Sequence, residues 1–129
     1  MNIEQYIRFF YGIISGIIAG ILSGLLGITG SVIILPLLLF FGIFQNYKLA
    51  IGTVIFAFDP ILSIFALIEY AKENNVDYLI GIALCFSYMF GAYIGAKFNK
   101  LLNEKMLKYI TSFILLLLSF YVFYNGYTS

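Results

Sequence analysis

The sequence predicts an all-α polytopic membrane protein, with four transmembrane helices and a short half-helix that forms a re-entrant or broken hairpin with the first. Three observations predict it. Hydrophobic residues make up 63% of the 129 and charged residues 10%, and the mean hydropathy is +1.03. That leaves too little polar surface for a soluble domain of this size. Four long apolar runs each come near the roughly 20 residues that cross a bilayer. Between Gly12 and Pro36 the run GIISGIIAGILSGLLGITGSVIILP repeats glycine every fourth residue and then breaks.

A short polar lead over residues 1–8 contains Glu4 and Arg8. Helix 1 is expected over residues 9–26, where Gly12, Gly16, Gly20 and Gly24 fall on one face beside Ser15, Ala19 and Ser23. A stripe of small residues lets a second backbone approach closely. The stripe runs into Gly27-Ile28-Thr29-Gly30-Ser31, where helix breakers and small hydroxyls cluster. Residues 32–43 then give a helix of about 18 Å, too short to cross comfortably, which Gly42 and the pair Gln45-Asn46 end. A third helix is expected over residues 47–70, containing Gly52-Thr53 and Asp59-Pro60. The polar turn at 72–75 follows, and Asp77 can cap a fourth helix over 78–98. That helix carries Ser87, Gly91, Gly95 and Asn99 at intervals of four, a second small face. The turn at 99–105 leads to a fifth helix over 104–124, closed by Asn125-Gly126. Being rich in Leu and Phe, it is expected outside against lipid, with the two glycine-bearing helices packed inside. No linker or second domain divides residues 1–129.

Charge gives an orientation. If helix 1 and the short piece return the chain to its starting side, Arg8, Lys48, Lys97, Lys100, Lys105 and Lys108 share one face and only Lys72 lies opposite. Six of seven basic residues on one side places the N-terminus in the cytoplasm and the C-terminus outside. Tyr6, Tyr11 and Tyr47 would mark one interface and Tyr70, Tyr78, Tyr124 and Tyr127 the other. The surrounding partner is the lipid bilayer, that of the cell membrane. A net charge of +1 without any basic run argues against nucleic acid. The length of the first apolar run and the lack of an Ala-x-Ala site after it argue against a cleaved signal peptide. With no histidine and a single cysteine, an internal disulfide and a His/Cys metal site are excluded. Cys85 reads as a small hydrophobe. No nucleophile–base pair, metal cluster or phosphate loop is present, so an enzyme is not expected and no cofactor is called for.

Three places can carry chemistry. The break at 27–31 implies a cavity, because open backbone is tolerated at membrane depth only against protein or water. It exposes the N-terminus of the following helix, whose free N–H groups and dipole favour an anion, and Thr29 and Ser31 add hydroxyls. The alternative is a tight re-entrant turn that only lets helices cross. Gly52 weakens the third helix and Thr53 can face the same cavity, or simply bond back to its own helix. Asp59 falls near the middle of that helix, where a carboxylate suggests proton coupling. Followed by Pro60, it reads equally well as an N-cap at a kink.

These pieces resemble the TauE/SafE sulfite exporter family. Gly27 to Pro36, GITGSVIILP, is similar to its G-x-G-G-G-x-x-x-x-P signature. Ala50-Ile51-Gly52-Thr53 resembles its A-x-G-T, and Gly91-Ala92-Tyr93-Ile94-Gly95-Ala96 its G-A-x-x-G-A. Order and spacing agree over residues 12–122. Thr29 and Ser31 replace two of three glycines, Val54 stands where the family usually has serine, and Asp59-Pro60 lies outside the pattern. The resemblance implies a secondary carrier exporting small sulfur-containing or organic anions, with Gly27, Gly30, Pro36, Gly52 and Thr53 in the substrate region. Family members look like two tandem copies of this unit, which implies a homodimer here. The expected odd number of crossings would invert tandem copies, however, whereas the charge bias favours one orientation. A non-transporting membrane scaffold and a passive anion channel are the rival readings.

Overall fold

The computed structural model describes residues 2–44 and 46–128. They form six helices: α1 (Ile3–Leu26), α2 (Gly30–Phe41), α3 (Tyr47–Phe58), α4 (Ile64–Lys72), α5 (Tyr78–Asn99) and α6 (Glu104–Thr128). Among the described residues, only α1, α5 and α6 are long and apolar enough to cross a membrane.

α1 starts six residues before its expected beginning because Asn2 and Gln5 form a capping box. The Gln5 N–H donates to the Asn2 side chain at 2.9 Å and the Asn2 N–H to the Gln5 side chain at 3.2 Å. It ends where Gly27 turns left-handed, at φ 76°, and its N–H bonds the Ser23 carbonyl. α2 ends in the same manner at Gly42, φ 67°, with the Ile43 N–H donating to the Leu38 carbonyl as in a Schellman motif. Gln45, expected to help end this piece, lies outside the described residues. Asn46 caps α3 through the Lys48 N–H, and Asp77 caps α5 through the Ile80 N–H, the latter as the sequence suggests. α6 runs through Asn125 and Gly126 to Thr128 rather than stopping before them.

The expected third span, 47–70, does not exist as one helix. Proline lacks the N–H that would continue α3 and disfavours helical geometry at the residue before it. Asp59 accordingly sits at φ −143°, ψ 42°, and α3 stops at Phe58. At about 18 Å and 14 Å, α3 and α4 are each too short to cross. They form a hairpin instead. Gly52 packs against the carbonyl of Asn75, just beyond α4, so the chain comes back alongside the early part of α3.

α1 and α5 lie side by side and parallel. Gly12 faces Ile80, Gly16 faces Leu84 and Ser87, Gly20 faces Tyr88 and Gly91, and Gly24 faces Ala92. At one end Arg8 reaches Asp77 at 3.4 Å, and at the other the Asn99 side chain donates to the Leu25 carbonyl at 2.7 Å. α2 folds back along α1 and carries the core, where Ile33, Ile34 and Leu38 meet Ala19, Ala50, Val54 and Leu84. α6 descends on the outside. Tyr121, in its last third, touches Phe40 near the end of α2, and no residue of α6 is buried.

The parallel pair overturns the expected orientation argument. Arg8, Lys48 and Lys72 fall at one end of the bundle, since Lys48 shares a groove with Glu69, Tyr70 and Glu73. Lys97, Lys100, Lys105 and Lys108 belong to the other end, around the α5–α6 turn. Three against four fixes no orientation. The tyrosine belt shifts likewise. Tyr6, Tyr11, Tyr47, Tyr70, Tyr78, Tyr124 and Tyr127 gather at the Arg8 end, while Tyr93 and Tyr109 lie beside Lys97 and Lys105 at the opposite one. Because the α3–α4 hairpin returns, the described residues begin and end at the Arg8 end. The expected odd number of crossings, with the termini on opposite sides, is therefore corrected.

Candidate functional site

Two breaks in helical backbone meet at one depth. Tyr88 is 11 residues beyond Asp77 and 11 before Asn99, at the middle of α5, about 16 Å from each end. Its hydroxyl donates to the Ser23 hydroxyl on α1. Its ring lies against Gly30, where a Cβ would stand 2.5 Å from the ring edge. Its other neighbour is Phe58, the last residue of α3, at 4.6 Å between centroids. The tip of the α1–α2 turn and the tip of the α3–α4 turn thus share a tyrosine at mid-bundle.

The break spans residues 27–29 rather than the expected 27–31, because α2 already begins at Gly30, and it opens outward. Gly27 has nothing within 4 Å of where a Cβ would point, and only a glycine takes its φ without strain. Thr29 is exposed and stands at the N-cap of α2, yet its side chain makes no capping bond; its carbonyl accepts the Val32 N–H at 3.0 Å. Ser31, two residues further, is half-buried. The first N–H groups of α2 and two hydroxyls therefore point to no partner within their own helix start. Pro36 is buried two turns along α2.

Asp59 joins this level through Phe58. Its carboxylate accepts the Ser63 hydroxyl at 2.7 Å, and its own N–H bonds the Ile55 carbonyl. The carboxylate bridges the α3–α4 turn and does not cap the N–H groups of a continuing helix.

Gly52 and Thr53 go elsewhere. Thr53 is fully buried, donates to the Leu49 carbonyl at 2.7 Å and accepts the Asp77 N–H at 2.9 Å. A Cβ on Gly52 would overlap the Asn75 carbonyl. Together they clamp the loop before α5, at the level where Arg8 bonds the Ile43 carbonyl (2.9 Å) and pairs with Asp77. That level is about 16 Å along α5 from Tyr88. Replacing Thr53 with valine removes one donor and leaves the Asp77 N–H unmet. We expect a loss of about 1–2 kcal/mol in an unfolding titration in detergent, which Thr53→Ser largely avoids.

Gly12, Gly16, Gly20 and Gly24 on α1, with Gly91 and Gly95 on α5, form the seam of the parallel pair and line no break. Tyr88 was not singled out from sequence. The available signal was a phenol at the centre of an apolar span, where a buried Tyr hydroxyl needs a partner, while nearly all other tyrosines cluster near span ends.

Helices interrupted at mid-membrane, with polar groups at the interruptions, define a membrane carrier more readily than an enzyme or a soluble binding module. The chain belongs to the TauE/SafE sulfite exporter family, whose sequence profile matches residues 12–128. It is therefore an integral membrane protein of a transporter family and not an enzyme. No curated protein and no solved structure matches the chain.

Proposed function

We propose that this chain exports small sulfur-containing or organic anions, sulfite among them, by alternating access as a homo-oligomer. The anion meets the chain at the 27–29 break. Thr29, Ser31 and the N–H groups that open α2 supply the hydrogen bonds, and the helix dipole favours negative charge there. Gly27 keeps the approach open, Gly30 makes room for the Tyr88 ring beside it, and Pro36 leaves a gap in the α2 hydrogen-bond ladder. Gly52 and Thr53 serve as positioning residues, since their contacts hold the loop before α5. Asp59, at the neighbouring break, is the candidate for coupling to protons. The observation that carries this reading is Thr29: an exposed hydroxyl at a helix N-cap, inside an apolar chain, that makes no capping bond.

The test is sulfite flux into proteoliposomes, with and without a pH gradient. Wild type is expected to give saturable flux that the gradient drives. Thr29→Ala with Ser31→Ala removes two hydrogen bonds to a charged group, worth about 1.5 kcal/mol or more each. Flux at low sulfite should fall at least about tenfold. Asp59→Asn should keep flux and lose the response to the gradient. A double variant that transports normally would move the anion away from the break. Flux that never saturates would identify a channel, and none from folded protein would identify a scaffold.

A further inference from the structure

The α3–α4 hairpin is covered on one side only. α3 buries Ala50, Gly52, Thr53, Val54 and Ala57, whereas α4 buries no residue and packs on α3 alone among the described helices. Ile61, Leu62 and Phe65 are 82%, 89% and 83% exposed. Apolar exposure by itself suits lipid. The tip does not.

Residues 59–63 are non-helical and follow Phe58, which lies against Tyr88 at the middle of α5. In the turn, the Ser63 N–H bonds the Asp59 carbonyl, but the N–H groups of Ile61 and Leu62 have no such partner. The start of α4 adds further open donors, because Ser63 makes no side-chain cap. Beside them stands the Asp59 carboxylate, with the Ser63 hydroxyl as its hydrogen-bond donor. Hydrocarbon satisfies neither open N–H groups nor a carboxylate at this depth, so protein or water must lie against the tip, and the exposed Ile61, Leu62 and Phe65 around it favour protein.

We propose that a second copy of this chain docks on the α3–α4 hairpin, parallel and two-fold related, with the Asp59–Ser63 tips of the two copies pairing at mid-membrane. The tip is self-complementary. It offers one anionic acceptor, Asp59, and a set of unmet donors at the positive end of α4, and an isologous contact pairs each with its counterpart on the other copy. Chains inserted the same way present their tips at equal depth, the arrangement that a two-fold axis along the membrane normal gives. This inference rests on the homo-oligomeric part of the carrier reading and adds the face, the direction and the residues.

The experiment uses the full chain in proteoliposomes, in a Cys85→Ala background, with a short bis-maleimide as cross-linker. Leu62→Cys and Phe65→Cys, both on exposed positions, are expected to give a covalent dimer. Phe123→Cys, 74% exposed on α6, is expected to give none. Subunit counting by photobleaching is expected to find two copies per particle. A dimer captured only through Phe123→Cys would overturn the proposal, as would single copies at every protein-to-lipid ratio. So would cross-linking of Leu62→Cys, in membranes of the source cell, to a protein of another mass. Cross-linking needs no transport. A dimer through this face without sulfite flux removes the carrier and keeps the interface, and flux from single copies does the reverse.

Discussion

Gly24→Val is expected to prevent α1 and α5 from packing at all. A Cβ at Gly24 would overlap the Ala92 carbonyl, and one at Gly95 would overlap the Ile21 carbonyl. These are backbone atoms of a neighbouring helix, so no side-chain rotation relieves them. Two packed helices would have to separate along the seam that carries the most extensive contact in the chain. Overpacking ordinarily costs about 1–3 kcal/mol, and a branched side chain against backbone belongs at or above the top of that range. In a bilayer, helices are held by close packing rather than by hydrophobic expulsion, so little else offsets the loss. An unfolding titration in mixed micelles should find the variant largely unfolded where wild type is folded. Gly12→Ala is the internal control: its nearest neighbour, Ile80, would stand at an ordinary 3.7 Å, and its stability should stay close to wild type.

Tyr88→Ala should produce the second large effect. The ring fills the space between Gly30 and Phe58, and its hydroxyl ties α5 to Ser23 on α1. Truncating a packed aromatic costs about 3–5 kcal/mol in soluble cores, and we expect the lower end here because lipid is as apolar as the interior. Sulfite flux should fall further than stability alone accounts for, since both breaks lose the surface that sets their spacing. Tyr88→Phe separates the contributions. It keeps the ring and gives up one hydrogen bond, about 0.6 kcal/mol in a membrane interior, so unfolding should barely change. A Tyr88→Ala protein with wild-type flux would show that the tips do not need this spacer.

How far the sequence could be read depended on whether local or distant contacts decide. The glycine seam was legible because a period of four on a helix has one geometric meaning, and both striped helices indeed pack together inside. The turn after Gly27 was legible because that glycine ends a helix by its own backbone freedom, though helix resumes at Gly30 rather than after Ser31. Asp59-Pro60 was legible as an interruption, but not the direction taken after it. A proline kink within a crossing helix and a full return share the same local sequence. The return is fixed by Gly52 against Asn75 and by Thr53 against Asp77, contacts between residues 23 and 24 positions apart. Missing it changed the parity of the crossings, and with it the side of every lysine beyond Lys48. The candidate site was partly legible for the same reason. Thr29, Ser31 and Asp59 sit at breaks that local rules reveal, whereas Tyr88 acquires its place only when α1, α2 and α3 converge on it.

The common end shared by the first and last helices has a consequence for how such a unit multiplies. The last turn of α6 and the first turn of α1 both lie on the Arg8 side of the bundle, so a surface peptide can join one copy to the next without crossing the membrane. Such a fusion would preserve the insertion direction of both halves, with no added crossing. Duplication of the coding segment would therefore turn a symmetric pair into a single longer polypeptide without disturbing how either half sits in the lipid. A chain with its ends on opposite faces would have no such route, and its doubled form would carry the second half upside down.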